Sequence, residues 1–336
     1  MNSQTRNNIF SAFLLSAVLT AVVWLTGDVL HSRFDIVNVK YYTFFYQWQT
    51  RNPTFVAYLS AWAGYALHNI AVWLIIFLAR REKPKFSSGF RWFNWMMLAV
   101  NLGFFGLHWI QTQVWYDGLA ISVPEVTSQG SVILMLVFIL ILEAPRRGLF
   151  FGKKIKFHAR FLKIVREYHG YLFSWAVIYT FWYHPMENTF GHLAGFFYMF
   201  LLLSQSVLIF NRAHINKWWT FALEALVMVH GTVVAIYQGK GMWPMFAFGF
   251  GALIVLTQMH GLGLNTFVKR MVAIGFLIAA LSTYALLGRL PMLHQVMWIS
   301  ITEYGLVAVF YMFFLGSHWI YERFANKKIT AETNLS

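Results

Sequence analysis

Residues 128–156 read SQGSVILMLVFILILEAPRRGLFFGKKIK. Eleven apolar side chains run unbroken from Val132 to Leu142, and then Arg146, Arg147, Lys153, Lys154 and Lys156 follow within a few residues. A run of this kind is a membrane helix, and the basic stretch behind it marks emergence among headgroups on the cytoplasmic side.

The rest of the chain has the same character. Of 336 residues, 59% are hydrophobic, 19% aromatic and only 11% charged, a composition that no ordinary soluble surface tolerates. Ten helices of ~20 apolar residues would use ~200 residues and leave only short loops, so no separate soluble domain fits. The net charge of +14 does not point to nucleic acid, because Lys and Arg cluster between apolar runs rather than along one surface stripe. The chain has no cysteine, which excludes disulfides, thiolate metal sites, iron–sulfur clusters and covalently attached haem. Phe10–Thr26 has the length of a signal peptide but only Arg6 before it and no small-x-small site after it, and reads as an uncleaved first span.

Apolar runs fall near 9–27, 55–79, 92–112, 128–145, 168–184, 190–210, 217–237, 242–262, 270–288 and 296–320. The expected fold is therefore an all-α, polytopic membrane bundle of about ten helices, one transmembrane domain over residues 1–336. The loops supply an orientation. The N-terminal tail, the even loops and the C-terminal tail collect 21 of the 26 basic residues; Arg33, Lys40, Arg51, Lys240 and Arg289 are the remaining five. Basic loops stay in the cytoplasm, which places both termini there, in a cell's inner (cytoplasmic) membrane. Residues 143–169 form a basic cytoplasmic loop. Phe157, Phe161, Ile164, Val165 and Tyr168 recur in it at helical spacing, as in an amphipathic helix on the leaflet surface. The first outer loop crowds Tyr41, Tyr42, Phe44, Phe45, Tyr46 and Trp48, a headgroup-level segment or a lid.

Ionisable groups in hydrocarbon are costly, at roughly 2.5–3.5 kcal/mol on insertion scales, so they mark function or pairing. Six of the twelve histidines lie between His169 and His260, with Glu187 and Glu224. His169, His214, His260 and Glu224 fall at one depth on the inner side and form a candidate metal or acid–base site, with Glu224 and His260 as the catalytic pair. His184, Glu187 and His192 sit within nine residues in an outer turn and form a second candidate metal site, or a turn pinned by capping and surface hydrogen bonds. Glu224 and His230 lie six residues apart, ~120° around a helix, and so face different neighbours. Asn101, His108 and Gln111 make a polar stripe that lines a cavity or only packs.

Several chemistries compete for these residues. A di-haem cytochrome needs two histidines on each of two helices. His169 and His184 supply one pair, but His214 and His230 lie ~160° apart around a helix and do not supply the second. The HxxxH and HxxHH spacings of membrane non-haem iron enzymes do not occur. Arg212-Ala213-His214-Ile215, followed by His260-Gly261 46 residues after His214, resembles the membrane-bound O-acyltransferases, with Met259 where that family has Trp; the resemblance implies His260 as general base. Intramembrane Glu and His also suit a proton-coupled transporter, and a non-catalytic assembly protein would use the same residues for packing. The leading expectation is a membrane-embedded redox or metal-dependent enzyme. It would hold iron (haem or non-haem) or another His-ligated metal, lie among membrane lipids, and act on a lipid, quinone or other hydrophobic molecule.

Overall fold

The computed structural model describes residues 2–37 and 46–333, with side chains as far as Phe324. Tyr41, Tyr42, Phe44 and Phe45 of the aromatic loop lie outside the described residues. The described chain is helical, with isolated β-bridges in place of strands. The long helices are α1 (Ser3–Gly27), α2 (Phe55–Arg81), α3 (Trp92–Trp115), α4 (Glu125–Arg147), α5 (Ala159–Tyr183), α6 (Phe190–Val207), α7 (Lys217–Tyr237), α8 (Trp243–Leu256), α9 (Thr266–Leu286) and α10 (Trp298–Thr333). Among the described residues, eight helical segments are long and apolar enough to cross a membrane: those built on α1, α2, α4 and α6 to α10. The other two, α3 and α5, are 24 and 25 residues long but richer in polar and basic side chains. The chain is a multi-pass membrane protein.

Local chemistry sets the helix ends. Thr54, Thr189, Asn216 and Asn265 each accept a backbone N–H from the first turn of the helix that follows, which satisfies donors with no intrahelical partner. Pro185 forces His184 into extended backbone (φ −96°, ψ 137°), and α5 stops there. At its other end α5 runs back to Ala159 without interruption. The expected amphipathic surface helix is therefore not a separate element: its residues from Ala159 onward are the first turns of α5. Phe161 and Val165 are buried against Val137, Leu140 and Val307 rather than against lipid headgroups.

Helices α2, α3, α6 and α5, in that order, pack as a closed ring, each touching the next, and hold the largest core cluster. A Cβ on Gly64 would overlap the Trp182 indole, so only glycine lets α2 and α5 approach this closely. Around the ring, α1 lies on α6, α4 on α5, and α7 on α6, while α8, α9 and α10 form an outer group. Helix α9 shows apolar side chains such as Phe267, Leu277, Ile278 and Leu286 to its surroundings, as a lipid-facing helix does. Because α3 belongs to the ring, its polar side chains meet protein instead of hydrocarbon. Asn94, Asn101, His108, Gln111 and Thr112 of α3 are all buried.

The α3 stripe proves to be packing. His68 donates from Nε2 to Asn101 (3.1 Å) and accepts from the Trp182 indole (3.3 Å), while Asn101 donates to the Leu203 carbonyl (3.3 Å) and to Ser206 (3.1 Å). His108 donates to the carbonyl of His184 (2.9 Å), and Gln111 to that of Asp117 (2.5 Å). These bonds tie the four helices together.

Candidate functional site

Two ends of the bundle carry ionisable groups: the end with the His184–His192 turn, and the opposite, basic end with Arg146, Arg147 and the loop before α7. The four residues expected to share one inner site do not come together. His260 donates from Nε2 to the Val255 carbonyl (3.1 Å) and rests beside Gly152 and Phe151 on the surface of the basic end. Glu224 is buried and faces the bundle, as expected of an uncompensated carboxylate, but its partner is Arg147 at 2.6 Å rather than a histidine. Arg147 keeps two further buried donors, Nε and Nη2, without partners.

His169 and His214 do meet, with ring centres 6.4 Å apart. Each has Nδ1 against a carbonyl, Arg166 at 2.8 Å and Gln205 at 3.0 Å. A carbonyl only accepts, so each Nδ1 carries the proton and each Nε2 keeps the lone pair. A metal-ligating imidazole is oriented in the same way. Burial, and then the neighbouring His169, push the His214 imidazole down to about 4. Among the described residues, no group of three or more His, Asp or Glu side chains is placed to hold a metal ion.

At the turn end the sequence stretch is compact and built inward. Glu187 is fully buried; it accepts from the Tyr116 hydroxyl (2.6 Å) and from His31 Nε2 (3.2 Å). It therefore anchors the turn and does not point toward the neighbouring imidazoles' nitrogens as a co-ligand would. His192 pairs through Nδ1 with Thr189 (2.7 Å) and through Nε2 with the Tyr46 hydroxyl, and Trp48 lies edge-on to its ring at 4.8 Å. The described part of the aromatic loop thus covers this histidine. The His184 ring is 5.9 Å from His192 and 5.0 Å from Tyr46. Burial, reinforced by His192, His230 and His108, holds His184 neutral well below the usual imidazole range. Its Nδ1 is buried without a partner.

His230 joins this cluster. It reaches across from α7 and sits over Gly195, its Cε1 2.8 Å from the place where a Cβ at 195 would start. Its Nδ1 is also buried and unpartnered. The signal in the sequence was Gly195 itself, three residues beyond His192, which clears room for a facing ring. Above the cluster lies a cleft of about 500 Å3 lined by His31, Phe34, Asp35, Gln47, Trp48 and Thr189 among others. His31 is thereby a wall of the cleft and a partner of Glu187. His158 caps α5 and lies 4.8 Å from the His318 ring.

A buried polar atom without a hydrogen bond is rare in a native fold and calls for a cause, such as a ligand or an ion. The turn end has two such imidazole nitrogens, a tyrosine and an indole beneath a cleft, which suits binding and proton exchange with a ring-bearing molecule. Compared with protein-family models, curated proteins and solved structures, the chain matches none, so its chemistry rests on this geometry.

Proposed function

We propose that the chain is a membrane-embedded enzyme of the redox or metal-dependent class, acting at the turn end on a hydrophobic molecule. Among lipids, quinones and similar compounds, a quinone ring suits the groups present: Trp48 and Phe34 offer aromatic faces, and His184, His192 and Tyr46 offer hydrogen bonds and protons. The observation that carries this reading is the pair of orphaned nitrogens, Nδ1 of His184 and Nδ1 of His230. Incubation of the detergent-purified protein with decylubiquinol and decylubiquinone, followed by absorbance of the quinone pool, tests it. A change that His184→Ala abolishes supports it; an unchanged pool under every electron acceptor and donor tried removes it.

In this reading α3 and α5 also cross the membrane, making ten spans. The polar side chains of α3 are turned to the other ring helices, and the basic ones of α5 lie in its first turns at the basic end. The basic end then faces the cytoplasm with both termini, in the inner membrane, as the 21-to-5 division of basic residues suggests.

The metal-dependent form of the proposal rests on His169 and His214. Two imidazoles each ~2.0 Å from one ion through Nε2 have ring centres at most ~6.4 Å apart, and the observed spacing sits at that limit. Haem or non-haem iron, or another His-ligated ion, would take those lone pairs, with further ligands from outside the pair. Metal analysis and an absorption spectrum of the wild type and of His169→Ala test this directly. Stoichiometric metal or a Soret band lost in the variant supports the site; a colourless, metal-free wild type refutes it.

A further inference from the structure

Along α6, His192, Gly195 and Tyr198 recur every third residue; along α7, Glu224, Val227 and His230 do the same. Steps of three turn by ~60° and rise ~4.5 Å, so each trio forms a slowly winding stripe. The packing shows that the two stripes face each other. His230 fills the gap over Gly195, the Tyr198 ring lies 6.3 Å from the His230 ring, and Tyr198 packs against Val227. His230 is thus held between His192 on one side and Tyr198 on the other. Glu224 lies one turn before Val227 on α7, on the side of Tyr198 away from His230, and pairs with Arg147, next in the chain to Arg146. Glu143 pairs with Arg146 at the surface of the basic end. At the turn end His230, seated over Gly195, lies one α6 turn from His192, whose ring is 5.9 Å from that of His184, and His192 meets the Tyr46 hydroxyl below the cleft.

We propose that Glu143, Glu224, Tyr198, His230, the His184–His192 pair and Tyr46 form a proton path that connects the basic end of the bundle to the cleft at the turn end. The carboxylate, phenol and imidazole side chains can each bind or release a proton, and those that sit deep in the bundle are set where the hydrocarbon would otherwise exclude ions. A single bridging water can join a donor and an acceptor that do not touch directly.

A proton moving toward the turn end is first taken up by the Arg147-paired Glu224 carboxylate and then released to the Tyr198 hydroxyl, which passes its own proton to Nδ1 of His230. His230 then gives up the proton on Nε2 toward the His184–His192 pair, and no bond between heavy atoms changes. The orphaned Nδ1 of His230 is the open acceptor this requires. The path stands whatever molecule occupies the cleft, and its test needs none.

The test is proton flux into pyranine-loaded vesicles of neutral phospholipid containing the full chain, driven by a potassium gradient with valinomycin. Wild-type vesicles should change internal pH at least tenfold faster than protein-free vesicles. Tyr198→Phe and His230→Gln should each bring the rate within twofold of the protein-free value while keeping the wild-type melting temperature. Ser300→Ala, which removes an unpartnered buried hydroxyl away from the path, should leave the flux unchanged. Wild-type vesicles no leakier than protein-free ones would overturn the proposal. So would well-folded Tyr198→Phe and His230→Gln proteins conducting at the wild-type rate, or Ser300→Ala slowing the flux as much as they do.

Discussion

Arg147 and Glu224 meet at 2.6 Å with their side chains only 2% and 4% exposed, joining the end of α4 to the first half of α7. Removing one partner of such a pair leaves a bare buried charge, which costs about 3–5 kcal/mol. Arg147→Met should therefore lower the melting temperature of the purified protein sharply. The double variant Arg147→Met with Glu224→Gln should recover much of the loss, as differential scanning fluorimetry in detergent would show.

The contact of His230 with Gly195 makes a second expectation. Gly195→Leu would drive the imidazole off its seat, because overpacking a close contact costs about 1–3 kcal/mol and moves the flexible partner first. Quinone-dependent turnover should fall at least tenfold, with helix content by circular dichroism retained. Wild-type turnover in this variant would detach His230 from the site.

Acid should weaken the fold. The His214 imidazole is pushed down to about 4, below its ordinary value near 6.5. Between those values the unfolded chain binds a proton that the folded chain refuses, so stability is fully present above about pH 6.5 and drains away as pH falls toward 4. His184, shifted in the same direction, adds to the effect. Melting temperature should drop from pH 7 to pH 5, and His214→Gln should show a smaller drop than the wild type. An equal drop would place the sensitivity elsewhere.

Topology is open to a simple probe because the chain has no cysteine. A cysteine replacing Asn188 should react with an impermeant maleimide only from the periplasmic or extracellular side, and one replacing Lys83 only from the cytoplasm. Reversed labelling would invert every depth assigned to the histidines.

Much of the fold was legible because hydrocarbon imposes a coarse rule: long apolar runs and the turns between them stand out in Val132–Leu142 as clearly as in Phe10–Thr26. What the rule hides is the ring. Asn101 and His108 of α3 look like a polar lining, yet they are partners of His68, the Leu203 carbonyl and the His184 carbonyl, none of which sequence spacing can pair. Depth along the chain put Glu224 near His214 and His260, but lateral position decides contact, and Arg147 lies closer. At the turn end the sequence shows His184, Glu187 and His192 close together along the chain. The third imidazole there was missed because His230 arrives from another helix through a space that only Gly195 leaves.

The most direct measurement is the binding of decylubiquinone to the purified protein, followed by quenching of tryptophan fluorescence, since Trp48 stands against His192 under the cleft. Saturable quenching is expected in the wild type, with affinity at least tenfold weaker in His184→Ala and unchanged in His158→Ala. Absence of saturable quenching, or equal affinity in wild type and His184→Ala, would contradict a quinone-binding role for the histidine cluster at the turn end.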